Sequence, residues 1–298
     1  MKCGTVAVVG KANAGKSTLV NVLVGEKVAI VSPKPQTTRD RILGILNSQD
    51  YQIVFEDTPG FYKSGTALNK KMQKTARRTA KEVDVIVFVI DGHDGISEEE
   101  FNILSGVCQG DVPVIVAISK TDITSKELIP ENLIKVSAIE GISEIIPVSA
   151  RKGKNVKELL NLIVKYLPHR EKIYSDNIVS NKSEKFMISE IMREKILLKF
   201  DKEIPHGIAV IVNEFSRRSN GIYDISLDII CEKQNHKAIL IGKQGSAIKE
   251  VSAFAREGME KFLKDKVFLT TYVKVIESWR DKEKYLKEFG YSDSGDLL

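Results

Sequence analysis

Between Thr5 and about Pro168, short apolar runs alternate with stretches whose apolar residues recur at helical spacing. The runs are TVAVVG, YQIVFE, VDVIVFVI, VPVIVAIS and IIPVSA. The three central runs are almost continuously hydrophobic, the pattern of parallel strands covered by helices on both faces. The spacing between them predicts helices over 16–24, 67–81, 97–109, 130–139 and 155–167. Strand and helix alternating in this way predict an α/β domain with a doubly wound, mostly parallel sheet.

The pattern then changes. HREKIYSDNIVSNK, residues 169–182, has weak periodicity and reads as a linker. SEKFMISEIMREKILLKF reads as an amphipathic helix, with Phe186, Ile188, Ile191, Met192, Ile196 and Leu197 roughly on one face. Two strand-like runs follow, HGIAVIVNEF and YDISLDIIC, joined through a turn at Ser219–Asn220–Gly221. A short helical piece, HKAILIG, runs into Gly242–Lys243–Gln244–Gly245, then a helix over 246–263 and a strand in VFLTTYVKVIES. The order helix, strand, strand, helix, GxxG, helix, strand describes a smaller α+β domain. Phe186, Ile191, Ile196, Phe254, Phe262 and Val273 are assigned to its core, with Trp279 as a cap. The boundaries expected are 1–168 and 183–280 for the two domains, 169–182 for the linker and 281–298 for a tail. WRDKEKYLKEFGY could form a short closing helix.

Composition agrees with two globular domains: 298 residues, 42% apolar and 29% charged, too rich in apolar residues for a disordered chain. No run of 18 apolar residues is present, so no transmembrane helix is expected. The start, MKCGTVAVVGKANAGKS, does not read as a signal peptide. Cys3, Cys108 and Cys231 lie far apart, as do His93, His169, His206 and His236. That spacing argues against a structural metal or a His-based triad and for buried free thiols in a reducing cytosol.

A formal charge of +5 permits a nucleic-acid partner without arguing for one. Its distribution says more. Residues 171–298 hold 22 Lys+Arg against 21 Asp+Glu, so this half is not a generally basic binder. Its positive charge is local: Lys233, Lys237, Lys243 and Lys249 have no acid among them. Lys70, Lys71, Lys74, Arg77, Arg78 and Lys81 form a second acid-free cluster, either a solvated helix face or a surface moved by the state of a bound ligand.

Gly10–Lys–Ala–Asn–Ala–Gly15–Lys16–Ser17 fits GxxxxGK[ST] between a strand and a helix, the context that this phosphate-binding loop needs. Backbone N–H groups from Gly10 through Asn13, Ala14 and Gly15 to Thr18 can surround phosphates. Lys16 would reach the β- and γ-phosphates, and Ser17 would bind Mg²⁺. Asp57–Thr58–Pro59–Gly60 ends the run YQIVFE, where a carboxylate can hold Mg²⁺ through water and Gly60 can offer its N–H to the γ-phosphate. Thr37 and Thr38 lie in the intervening loop, where a hydroxyl could complete the Mg²⁺ shell. Ser119–Lys120–Thr121–Asp122 ends another strand. A carboxylate there can accept from N1–H and the 2-amino group of guanine, a donor pair adenine lacks. Lys120 can lay its stem along the base, and the Ala150 N–H of Ser149–Ala150 could meet the guanine carbonyl. In the second domain, a GxxG turn lets a nucleic-acid backbone approach closely. The residues expected to bind RNA are Lys237, Ile241, Gly242, Lys243, Gln244, Gly245 and Lys249.

As a set and in this order, these elements resemble the TrmE–Era-type GTPases, and with the C-terminal part included they resemble the bacterial Era GTPases over essentially the whole chain. The second domain is similar to a type II KH domain. The resemblance implies a cytoplasmic, monomeric switch that binds GTP and GDP with Mg²⁺ and hydrolyses GTP slowly. It implies binding to the 3′ end of 16S ribosomal RNA and assistance in small-subunit assembly, with no DNA partner and with weak peripheral membrane association as an open question. Lys16, Thr38 and Gly60 would be the catalytic groups, Thr38 the Mg²⁺ and γ-phosphate residue of Gln36–Thr37–Thr38–Arg39, and Asn13 a ligand for K⁺. Two positions depart from the family pattern. SKTD replaces NKxD, so Ser119 forfeits a contact either to guanine N7 or to the phosphate loop, which predicts weaker nucleotide binding but no change to ATP. Phe61 stands where a Ras-like enzyme places a glutamine, so no residue there can orient water. The other readings are a nucleotide-gated RNA-binding module with negligible hydrolysis and a P-loop ATPase.

Overall fold

The computed structural model describes residues 1–35, 37–59, 83–201 and 204–289. They form two compact units. The first contains described residues 1–31, 38–59 and 83–181, and the second 32–35, 37, 182–201 and 204–289.

The first unit is built on a six-stranded sheet: β1 Lys2–Gly10, β2 Ile42–Asn47, β3 Tyr51–Asp57, β4 Val85–Asp91, β5 Val114–Ser119 and β6 Glu144–Pro147. The strand order is β2-β3-β1-β4-β5-β6, with every neighbouring pair parallel except β2 and β3. Its helices are α1 Lys16–Val24, α2 Glu98–Val107, α3 Leu128–Ser137 and α4 Val156–Tyr166. All seven residues of β4 and all six of β5 are buried, which is why those runs lack polar alternation. One face of the sheet packs Val6, Val8, Phe55 and Val87 on α1 and α4; the other packs Val9, Phe88 and Val116 with Leu104 and Val136. The helix expected over 67–81 lies outside the described residues.

The edge strand β2 is absent from the apolar runs read in the sequence. Gly44 interrupts RILGILN, yet a Cβ there would come within 2.8 Å of Val24 Cγ2, so the glycine lets α1 pass close to the sheet. Residues 169–181, read as a linker, pack along the same edge. Gln52 Oε1 accepts from the backbone N–H groups of Ile173 and Tyr174, and its Nε2 donates to the Tyr174 carbonyl. Ile45 N–H donates to Val179 O at 2.8 Å, and Tyr174 and Ile178 cover Leu43, Ile45 and Val54. Sparse periodicity here reflects a strap with few apolar anchors, held mainly by hydrogen bonds.

The second unit comprises α5 Glu184–Lys199, β7 Ala209–Arg217, β8 Tyr223–Cys231, α6 Gln234–Ile241, α7 Ser246–Leu263, β9 Val267–Val275 and a short α8 Glu283–Glu288. The sheet order is β7-β8-β9, the first pair antiparallel and the second parallel. Ser183 caps α5 by accepting from Phe186 N–H. Ile188, Ile191, Met192 and Ile196 of this helix meet Val251, Ala255 and Met259 of α7 over the sheet. Glu190, Arg193 and Glu194 are buried as well, so α5 is enclosed on more than its apolar stripe. Arg193 donates to both carboxylate oxygens of Glu190 and to the Thr37 carbonyl, within the same unit.

The core assignment needs one correction. Phe254 is 54% exposed, because the buried face of α7 runs through 251, 255 and 259 and leaves position 254 about a quarter-turn off it. Phe186, Phe262 and Val273 are half-buried. Trp279 is fully buried, and its indole N–H donates to Gly207 O at 2.9 Å, which makes it a cap on the core. The three cysteines are buried and free. Among the described residues no helix is long and apolar enough to cross a membrane.

Candidate functional site

Strands β1, β3, β4 and β5 deliver Gly10, Asp57, Asp91 and Ser119 to the carboxyl edge of the sheet, where an open α/β fold places its ligands. The loop after β1 is shaped by close contact. A Cβ on Gly10 would sit 2.3 Å from Val89 O. Asn13 (φ 67) and Gly15 (φ 93) adopt left-handed conformations that curl the turn. No side chain caps α1, so its first N–H groups remain available to an anion, with Gly15 and Thr18 half-buried and Ala14 buried beside them. Lys16 is folded back into this turn, donating to Gly10 O at 3.1 Å and Lys11 O at 2.7 Å. Burial lowers its pKa to about 8 against the opposing pull of Asp57 and Glu100.

Three oxygen donors converge next to it. Ser17 Oγ donates to Asp57 Oδ2 at 2.7 Å and lies 2.8 Å from Thr38 Oγ1, which is 3.2 Å from the same carboxylate oxygen. Burial raises the Asp57 pKa against hydrogen bonds from Ser17 and Thr38 and the charge of Lys16. Its other oxygen, Oδ1, is buried with no hydrogen-bond partner among the described residues. Two hydroxyls and a carboxylate with spare acceptor capacity suit a hard divalent cation such as Mg²⁺. Thr37 takes no part: its hydroxyl donates to Lys34 O at 2.6 Å. Thr58 Oγ1 donates to Val8 O, fastening the end of β3 to β1. Gly60, Gln36, Phe61 and the basic residues from Lys70 to Lys81 lie outside the described residues.

At the end of β5, segment 119–122 is tied down at three points. Ser119, nearly buried, donates its hydroxyl to Ala14 O at 2.6 Å, so its contact to the phosphate loop is kept. Lys120 (φ 56) pairs with Asp91 at 2.5 Å. Asp122 is exposed, and its Oδ1 accepts from Ser149 Oγ at 2.6 Å. The Ser149 hydroxyl, then Arg151 and Lys152, hold this carboxyl below its ordinary pKa despite slight desolvation. Ser149 is itself fixed by paired backbone bonds with Lys154, and Ala150 is half-buried beside it. Asp91 escaped the sequence reading; its only signal was its place at the end of a strand in the same sheet.

In the second unit, Gly242 (φ 75, ψ 176), Gln244 (φ 51, ψ 29) and Gly245 (φ 78, ψ 11) form the sharp connection from α6 to α7. A Cβ on Gly242 would meet Ala247 Cβ at 2.7 Å, whereas one on Gly245 would find no atom within 4 Å among the described residues beyond its chain neighbours. The first glycine is demanded by packing, and the second leaves open space over the start of α7. Lys243, Gln244 and Lys249 are exposed, and Lys237 and Ile241 half-buried.

Comparison with known proteins matches residues 5–120 to the family model described as a 50S ribosome-binding GTPase and 203–280 to the KH domain. GTPase Era of Clostridium kluyveri is 45% identical over 291 residues, covering 98% of this chain and 99% of that one. Its Clostridium perfringens counterpart is 42% identical over 290 residues, 97% of this chain and 98% of its own length. The chain belongs to the Era GTPase family.

Two solved Era structures share the whole fold. A variant of Aquifex aeolicus Era bound to GDP·AlF4⁻ has a TM-score of 0.93 at 37% identity, covering 98% of this chain and all of that one. An Era complex with MgGDPNP and nucleotides 1506–1542 of 16S ribosomal RNA has a TM-score of 0.93 at 38% identity, covering 98% and 99%. Like its relatives, this Era-family chain joins a P-loop GTPase unit to a KH unit. Its Ser119 hydroxyl ties the end of β5 to the loop after β1.

Proposed function

We propose that the protein is a GTP-hydrolysing switch that binds the 3′ end of 16S ribosomal RNA and assists maturation of the small ribosomal subunit in the cytoplasm. The observation that carries the nucleotide reading is the convergence of Ser17, Thr38 and Asp57 beside the buried Lys16. In this reading residues 1–168 act as the GTPase domain and 183–280 as the RNA-binding domain, with residues 281–298 as a tail.

Gly10, Asn13, Ala14, Gly15, Lys16 and Thr18 would hold the phosphates. On binding, Lys16 would exchange its two carbonyl acceptors for phosphate oxygens, which restores the charge that burial disfavours. Ser17, Thr38 and Asp57 would hold Mg²⁺, which supplies charge neutralisation on the phosphates. Asp122 would read guanine, with Lys120 along the base and Ser149–Ala150 at its carbonyl. Asn13, exposed in a left-handed turn, is the proposed K⁺ ligand. The GxxG turn with Lys237, Ile241, Lys243, Gln244 and Lys249 would clamp the RNA backbone. The protein acts as a monomer, and no part of the proposal requires a membrane.

Single-turnover phosphate release from GTP, with Na⁺ or K⁺ and with or without a 3′-terminal 16S RNA fragment, tests this reading. Release that is faster with K⁺, together with RNA affinity that differs between GDP and a GTP analogue, is expected. Hydrolysis indistinguishable from the solution rate in every arm would leave only an RNA-binding module.

A further inference from the structure

At the end of β5, Ser119 presents one hydroxyl, and one hydroxyl carries one proton. A carbonyl oxygen only accepts, so the 2.6 Å contact with Ala14 O spends that proton on the phosphate loop. Ser119 is buried, and among the described residues, Gly15's own chain neighbours aside, its Oγ and Cβ are what come within 4 Å of the Cβ position of the left-handed Gly15, at 3.7 and 3.9 Å. This side chain therefore lies against the turn at one of its left-handed residues. An asparagine amide would bring two N–H donors and could serve the loop and a base together. A serine cannot.

We propose that Ser119 is a positioning residue for the phosphate-binding turn and does not read the base. The acceptors of guanine, N7 and O6, receive no proton from position 119, so purine selection among the side chains falls on Asp122. The inference rests on the guanine-nucleotide reading above and deepens it. Of the two contacts at stake when SKTD replaces NKxD, the loop contact persists and the base-edge contact is forfeited. Weakened recognition at N7 is thereby uncoupled from the geometry of the phosphate site.

The test is a chemical double-mutant cycle. GDP, ADP and 7-deaza-GDP, which lacks the N7 acceptor, are titrated against the native full-length chain and its Ser119→Ala, Ser119→Thr and Ser119→Val variants, with thermal melting of each recorded. Ser119→Ala is expected to weaken GDP and 7-deaza-GDP by the same factor, about fivefold, the worth of one hydrogen bond. Threonine, which keeps the hydroxyl, should retain binding that its near-isostere valine loses, and melting differences shared by threonine and valine separate packing from the hydrogen bond. A GDP preference over 7-deaza-GDP that shrinks in Ser119→Ala would overturn the proposal, as would unchanged GDP affinity in that variant. The ADP arm separates the two readings. Equal binding of ADP and GDP by the native chain defeats the guanine assignment, while the alanine effect on whichever nucleotide binds still reports the loop contact.

Discussion

Ser149 Oγ donates to Asp122 Oδ1 at 2.6 Å, joining the segment after β5 to the segment after β6 through side chains 27 positions apart. The serine is almost wholly buried and the carboxylate exposed, so a rigid group aims a solvent-facing one. That arrangement makes the base-selecting end of the site testable independently of the phosphate end.

In the guanine-nucleotide reading, Asp122→Asn replaces one acceptor of the carboxylate with an N–H₂ donor where the base N1–H and 2-amino group would need acceptors. Loss of a charged hydrogen bond predicts GDP affinity lower by roughly 10- to 100-fold, with the preference over ADP shrinking in parallel. Competition binding of GDP and ADP checks it.

The pH dependence follows from the sign of the Asp122 shift. Its pKa is lowered, chiefly by the Ser149 hydroxyl, so the carboxylate stays ionised to lower pH than an ordinary aspartate. GDP affinity should therefore show no Asp122 titration from neutrality down to about pH 5, and should fall only as pH drops through the depressed value. Removing the donor in Ser149→Ala raises that value, so the loss should begin at higher pH. GDP titrations at stepped pH on both proteins measure the difference.

Thr38 and Thr37 should behave oppositely in the Mg²⁺ dependence of nucleotide binding. Thr38 Oγ1 is within 3.2 Å of Asp57 Oδ2, whereas Thr37 Oγ1 is committed to Lys34 O. Thr38→Ala should raise the Mg²⁺ concentration needed to retain a GTP analogue by at least about tenfold, by analogy with losses seen on disturbing metal sites. Thr37→Ala should leave it within about twofold, since it removes no group from the cluster. Equal effects would show that the pair acts as a loop and not through the cluster.

The two glycines of the GxxG turn should separate stability from RNA binding. Gly242→Ala forces a Cβ into Ala247 at a positive φ, which predicts a loss of about 3 kcal/mol. Gly245→Ala meets open space and bears only left-handed strain, about 1 kcal/mol. The second variant should fold, yet weaken the RNA fragment severalfold because the added methyl occupies the approach to α7. Denaturant unfolding and RNA titration distinguish the two costs.

The parallel sheet was legible because burial on both faces writes β4 and β5 as unbroken apolar runs. The phosphate loop was legible because its chemistry is local: two glycines, a lysine and a serine within eight residues. β2 was not, since Gly44 answers to Val24 on a neighbouring helix, a contact that leaves no periodicity in its own strand. Asp91 was not, since its pairing with Lys120 spans 29 positions. Packing of segment 169–181 along the sheet edge left no sequence pattern, because hydrogen bonds with Gln52 and Asn47 hold it where apolar anchors would have shown periodicity.

By itself, then, the amino-acid order determined two units, the glycine-built turns and the residue types available at each strand end, because short-range sterics and burial period act along the chain. Residue pattern alone left neighbours of equal chemistry undistinguished; resemblance favoured Thr38 over Thr37, and the tertiary structure supplies the geometric reason. It put the Thr38 hydroxyl beside Ser17 and committed that of Thr37 to Lys34 O. It spent the single proton of Ser119 on Ala14, 105 positions distant in the chain. Such choices depend on which backbone oxygen a side chain meets after the sheet has closed, and no local pattern carries that information.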